Sequence, residues 1–308
     1  TNVPSSEGQR KLAELLAEEL QALGFKSIEI SEFSVLTAHL PSNLPDGAKA
    51  PAVGWCAHLD TVDVNLSPDV KPWVLRGYAG GDICLNQEKD IWLRASDHPD
   101  LQAYIGDDLV LTDGTSVLGA DNKSAIANVM TALSIIQAEQ RPHGDIYVAF
   151  VPDEEIGLRG AKKLDVSKFP VDFAYTIDCC ALGEVVYETF NAGSALLSIE
   201  GVTAHPMSSK GVLVNPTLVA VDFVNMLDRG ATPECTEGTE GFIWVHAINS
   251  NASKATVAIK IRDHNLKRYN EKKALLEAAV QYLRERHPRA KIALKISDTY
   301  GNIADAIK

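Results

Sequence analysis

The chain alternates between short apolar runs and stretches that are apolar on one face only. Leu12, Leu15, Leu16 and Leu20 recur at helical spacing, which predicts an amphipathic helix. Ser6-Glu7-Gly8-Gln9 reads as a capping box opening it, and Gly24 as its end. Strand-like runs follow at 27–31, 34–40, Ala52–Ala57, Ile146–Val151 and Phe173–Ile177, and Ser116–Ala120 reads as a further apolar strand. Residues 65–113, rich in Gly, Asp and Pro, read as loops with short strands. Ala125, Ile126, Val129, Met130 and Leu133 mark a second helix from about Asn122 to Ala138. Strands alternating with helices predict an α/β fold.

After Asn191 the pattern changes. Ser194–Glu200 reads as a strand, and Asn215-Pro216 caps a helix running to about Leu227. Strands Phe242–Ile248 and Ala255–Arg262, a helix Tyr269–Arg286 and a strand Lys291–Ile296 complete a β-α-β-β-α-β order. That is the split, ferredoxin-like α+β unit, which carries its own core. The boundary is expected near Phe190–Ala192 with a return near Asp298. Residues 192–297 would then be an inserted domain within a catalytic domain of 1–191 continued by 298–308.

Bulk properties narrow the classes. At 308 residues the chain has room for two cores, since single cores stop growing near ~250–300 residues. It is 45% hydrophobic and 23% charged, the composition of a soluble globular protein. A formal net charge of −12 argues against nucleic-acid or anionic-membrane partners. No apolar run approaches the ~20 residues of a membrane span, and no signal peptide is seen. Cys56, Cys84, Cys179, Cys180 and Cys235 are odd in number and lack C-x-x-C spacing, so a reduced, cytoplasmic setting is expected. Cys179-Cys180 reads as apolar filler. A start at Thr1-Asn2-Val3-Pro4 and a stop at Lys308 suggest a piece of a longer chain.

The chemistry gathers at the ends of the predicted strands. Pro152-Asp153-Glu154-Glu155 follows the run Ile146–Val151. Neighbouring residues in extended backbone point to opposite sides, so the two carboxylates can serve different centres. One can bind a metal while the other handles a water proton; the alternative is a solvated acidic turn. Against that alternative, His58-Leu59-Asp60 follows Ala52–Ala57, Asp121 follows Ser116–Ala120, and Asp178 follows Phe173–Ile177. Asp60 lies two residues from His58, on the same strand face, where it can bond the imidazole of a metal-ligating histidine. Ligands of α/β sheets collect outside the carboxyl ends of the strands. Imidazole and carboxylates without thiolate suit zinc, manganese or cobalt, and a bridging carboxylate suits a two-metal hydrolase.

With these residues in view, the chain resembles the peptidase T family, the tripeptide aminopeptidase branch of the di-zinc aminoacylase and carboxypeptidase clan. The likeness rests on Ala57-His58-Leu59-Asp60-Thr61, Leu118-Gly119-Ala120-Asp121-Asn122-Lys123, Pro152-Asp153-Glu154-Glu155, Tyr175-Thr176-Ile177-Asp178, His205-Pro206 and Ile261-Arg262-Asp263. It runs from Pro4-Ser5-Ser6-Glu7-Gly8-Gln9 to Asp298-Thr299-Tyr300. The resemblance implies a mixed-sheet zinc-peptidase catalytic domain with an inserted ferredoxin-like lid. It implies two Zn²⁺, with manganese or cobalt as alternatives: His58 and Asp178 on one ion, Glu155 on the other, Asp121 bridging. It implies Glu154 as general base acting on a metal-activated water, Asp60 as the partner of His58, His205 at the substrate carbonyl and Arg262 at its C-terminal carboxylate. The substrate would be a tripeptide, and a homodimer is an assembly the resemblance allows.

This sequence departs from the family pattern in three places. Cys179-Cys180 and Met207 stand where glycines are usual, and Asn122 where Asp is common. The family also continues past the position of Lys308 with a Gly-rich substrate loop and a last histidine ligand. Two other readings follow: a deacylase or carboxypeptidase of the same clan, and a catalytically inactive peptide-binding fragment.

Overall fold

The computed structural model describes residues 2–179 and 183–307. Its contacts divide the chain into two units, Thr1–Cys179 and Cys180–Lys308.

The first unit opens with α1 (Glu7–Ala22), β1 (Lys26–Ile30), β2 (Leu36–Leu40) and β3 (Val53–His58). Ala13, Leu16 and Leu20 form the buried stripe of α1, whereas Leu15 faces outward at 52% exposure. Ser6 is the N-cap residue but its side chain makes no capping bond. The expected capping box is therefore absent, because the Gln9 amide is drawn into the protein and bonds Asp153. Four short strands follow, β4 (Pro72–Leu75), β5 (Ile83–Asn86), β6 (Ile91–Leu93) and β7 (Leu109–Thr112), paired antiparallel as β4–β7 and β5–β6.

The expected strand at Ser116–Ala120 does not form. The segment is irregular and leads into α2 (Ala120–Ala138). Gly119, at φ +72°, turns the chain out of extension, a conformation an apolar run cannot report. Asp121 and Asn122 keep non-helical dihedrals inside the first turn of α2, which accounts for a predicted start two residues later.

With β8 (Ile146–Val151) and β9 (Phe173–Thr176), the main sheet has the order β1-β2-β8-β3-β9. β8, β3 and β9 run parallel; β1 and β2 are antiparallel additions. The register pairs His58 with Val151 and Cys56 with Thr176. Three strands thus end level with one another and release His58, Pro152–Glu155 and Asp178 at one edge. The core beneath is built from α1, α2 and the sheet, with Phe150, Leu20, Leu36 and Leu133 almost fully buried.

The second unit contains β10 (Asn191–Glu200), α3 (Pro216–Asn225), β11 (Phe242–Ser250), β12 (Lys254–Asp263), α4 (Leu266–Arg286) and β13 (Lys291–Tyr300). Its antiparallel sheet has the order β11-β12-β10-β13, the ferredoxin-like arrangement of a β-α-β-β-α-β chain. Asn215 caps α3 by accepting from Thr217 N–H at 3.0 Å. Val257, Ile259 and Ile261 alternate inward along β12 against Phe223 of α3 and Leu276 and Leu283 of α4. Among the described residues no helix is long and apolar enough to cross a membrane.

Candidate metal centre

His58, the last residue of β3, is 2% exposed. Its Nε2 lies 2.8 Å from Asp121 Oδ1, 3.3 Å from Asp178 Oδ1 and 4.0 Å from Glu154 Oε2. Its Nδ1 lies 3.2 Å from both the main-chain oxygen and Oδ1 of Asp60. Asp60 in turn holds the acidic turn. Its Oδ1 accepts from Glu154 N–H at 2.9 Å and its Oδ2 from Glu155 N–H at 3.0 Å. One buried carboxylate thereby fixes the imidazole ring on one side and the main chain of both glutamates on the other.

The acids sort into two groups around the shared imidazole. His58, Glu154 and Asp178 offer donor atoms within 4.8 Å of one another, and so do His58, Asp121 and Glu155. The four strand-end or helix-start positions singled out in the sequence therefore converge. His205 and Arg262 belong to the second unit. His205 is exposed and its Nδ1 accepts from Met207 N–H at 3.3 Å. Arg262 Nη1 donates to the main-chain oxygens of Gly193 at 3.0 Å and Ile261 at 2.9 Å. Asp263, its neighbour, is taken instead by Arg268 and Lys272. Cys179 is exposed, and Cys180 lies outside the described residues.

The charge balance is that of a cation site. Burial works against a charged imidazole, yet hydrogen bonds and charge from Asp178 and Asp60 outweigh it and raise His58 to about 10. Glu154 is pushed above the usual carboxylate range by burial and by Asp178, Glu155 and Asp60, with His58 opposing. Glu155 is raised by burial and by Asp121, again against His58. Asp178 is held low: burial would raise it, but the bond to His58 prevails. Carboxylates this crowded either keep protons or take a cation, and one imidazole with hard oxygens and no thiolate fits a divalent ion of the zinc or manganese type. Cys56, on β3, has its thiol raised to about 11 by burial and adds no ligand.

Two contributors were not recognised from the sequence. Asn122 Oδ1 accepts from His58 N–H at 3.3 Å, and its Nδ2 donates to Ile177 O at 2.6 Å and Asp178 Oδ1 at 2.5 Å. An aspartate side chain there would have no N–H to give, so the amide of Asn122 orients Asp178. Lys123 Nζ donates to Asp60 O at 3.1 Å and Thr61 Oγ1 at 2.5 Å, tying the start of α2 to the loop after β3. Asn122 drew notice in the sequence only as standing where Asp is common, and Lys123 only by its closeness to Asp121.

A family profile described as a peptidase dimerisation domain matches residues 187–291, and one described as M42 glutamyl aminopeptidase matches 105–213. The chain is 51% identical over 306 residues to a peptidase T-like protein of Rhizobium meliloti, spanning 99% of this chain and 74% of that protein. It is 42% identical over 306 residues to peptidase T of Alkaliphilus oremlandii, spanning 99% and 75%. Among solved structures, a tripeptidase from Staphylococcus aureus superposes with a TM-score of 0.75 at 21% identity, covering 98% of this chain and 73% of that one. The aminopeptidase PepT of Bacillus cereus superposes with a TM-score of 0.74 at 18% identity, covering 96% and 72%.

Proposed function

Because the chain belongs to the peptidase T family of metal-dependent aminopeptidases, we propose that its centre releases the N-terminal residue of tripeptides. The observation that carries this reading is the pair of donor groups sharing His58. In the proposed assignment, His58 and Asp178 would hold one divalent ion and Glu155 a second, with Asp121 shared between them, the metal being zinc with manganese or cobalt as alternatives. Bound ions supply Lewis acidity, polarising the scissile carbonyl and acidifying water.

The protein's own groups do the rest. Glu154 takes the proton of the attacking water and returns it to the leaving amine. Its raised carboxyl supports this role, since a base works best with a pKa nearer the operating pH. Asp60 keeps the His58 ring oriented and holds both glutamate amides, limiting the motion of Glu154 between its two proton transfers. His205 is assigned to the substrate carbonyl oxygen and Arg262 to the C-terminal carboxylate, where a guanidinium fork suits two oxygens. The domain plan of 1–191 with 298–308 as catalytic domain and 192–297 as lid is part of the same proposal. So is a homodimer through the second unit, supported by the dimerisation-domain match.

A deacylase or carboxypeptidase reading keeps the same centre, and the name peptidase T-like on relatives at 51–52% identity favours testing it. The full-length protein loaded with Zn²⁺, Mn²⁺ or Co²⁺ is assayed on a tripeptide with a free or an acetylated amino group. Release of the first residue from the free peptide alone is expected. Cleavage of the acetylated peptide at equal rate would transfer the protein to the deacylase reading.

A further inference from the structure

The buried stripe of α1, Gln9, Ala13, Leu16 and Leu20, opens with a glutamine where helical spacing places a core position. Gln9 is 4% exposed. Burying an amide is unfavourable unless its two ends find partners. Gln9 Oε1 accepts from Asp153 N–H at 2.9 Å, and its Nε2 donates to Asp153 Oδ1 at 3.0 Å and to the Ser5 and Ser6 hydroxyls at 3.2 Å each. Ser5 adds its main-chain N–H at 2.9 Å and its hydroxyl at 2.6 Å to that same Oδ1.

Asp153 is fully buried and sits at φ +55°, the left-handed region that a non-glycine residue keeps only where its surroundings impose it. Its other oxygen, Oδ2, finds no hydrogen-bond partner among the described residues, with Arg159 Nη1 3.6 Å away. The residues that follow are Glu154 and Glu155, whose N–H groups are held by Asp60. The turn bearing both acids is thus gripped twice, by α1 at its entry and by the end of β3 at its amides. A ligand or base must sit within about 0.5 Å and 10–20° of its working geometry. A turn released from the left-handed region would swing both carboxylates together.

We propose that Gln9 and Ser5 are positioning residues which, through Asp153, set the splay of Glu154 and Glu155 at the metal centre. The inference rests on the metallopeptidase reading above and adds the N-terminal helix to the groups that organise the centre. Neither residue touches substrate. They act by fixing the backbone from which the two acids project.

The test uses the full-length protein with Co²⁺, whose visible absorption reports ligand geometry, alongside kcat, KM and Tm. Gln9→Leu keeps size and helix propensity while removing every hydrogen bond of the amide. It is expected to weaken Co²⁺ binding and lower kcat by about ten- to a hundredfold each, with an altered spectrum, and to leave KM within about threefold. Ser5→Ala should move spectrum and affinity in the same direction by less. A Gln9→Leu protein with a lower Tm but wild-type spectrum, affinity and kcat would overturn the proposal. Should Gln9→Leu fail to fold, Ser5→Ala at an exposed position decides, and an unchanged spectrum and affinity there would overturn it equally. A wild-type protein that binds Co²⁺ but leaves tripeptides uncut defeats the proposed activity, while the Co²⁺ comparison still decides the role of the clamp.

Discussion

Glu154 and Glu155 are adjacent in the chain but keep different company: Glu154 groups with Asp178, Glu155 with Asp121. Distance alone allows either to be a ligand, so their separation into base and ligand is a matter for mutants. Glu154→Ala should cut turnover by about 10²–10⁴-fold while metal stoichiometry, read by elemental analysis, stays unchanged. Loss of one ion per chain would exchange the two roles. Asp121→Asn should lose both ions together in a calorimetric titration, because a bridging carboxylate offsets the repulsion of two ions about 3.5–4 Å apart. Clean loss of one would make Asp121 a terminal ligand. Protonation gives a third handle. His58, raised to about 10, keeps its proton at neutral pH in the metal-free centre, and a ligating imidazole must release it. Metal affinity should therefore climb as pH rises towards that value and fall as pH drops, with protons released on uptake. Titrations in buffers of different ionisation enthalpy measure that release. An affinity flat from about pH 6 to 9 would remove His58 from the ligand set.

At the scale of elements, the second unit offers a test independent of catalysis. Asp263 ends β12 fully buried, accepts from Asn265 N–H at 2.8 Å, and pairs with Lys272 at 2.8 Å and Arg268 at 3.1 Å. It pins the first turns of α4 to the sheet. Burial would raise its carboxyl, but Lys272, the Asn265 amide and Arg268 hold it below the ordinary range. A carboxylate depressed in the folded state contributes stability that is present above its unfolded pKa of about 3.9 and lost as pH falls through the folded value. Asp263→Ala should cost roughly 1.5–3 kcal/mol, the worth of a charge-assisted hydrogen bond. The variant should also show a shallower loss of stability in acid than the parent. A variant whose acid unfolding parallels wild type would mean that other carboxylates govern that limb.

For the whole molecule, the two hydrophobic clusters share no residue: one runs from Ala13 to Phe150, the other from Ala195 to Ile292. Among the described residues, every candidate ligand lies in the first unit. A ligand that binds only the folded form raises stability by mass action, and only in the unit that holds it. Calorimetry of the metal-loaded protein should resolve two transitions, and a chelator should lower one and leave the other in place. If both fall together, the units unfold as one cooperative block and the ligand-free unit depends on the loaded one.

Much of this was legible before any coordinates. The period-2 strands of the second unit and the helical stripes of α1 and α2 follow from which face each element buries, a local property of the chain. His58, Asp121, Glu154, Glu155 and Asp178 stood out because each follows an apolar run or opens a helix. The strand expected at Ser116–Ala120 failed because a left-handed Gly119 is invisible to hydrophobicity. Gln9 read as a cap because its partner Asp153 is 144 residues away, and a buried amide shows its purpose only when that partner arrives. The roles of Asn122 and Lys123 were hidden for the same reason: their bonds run to β3, to the loop after it, and to the end of β9. The residue types and their order were sufficient for the family and the kind of chemistry. The division of the acids into two groups around one imidazole depends on strands ending in register, a matter of pairing between distant segments that only the folded chain decides.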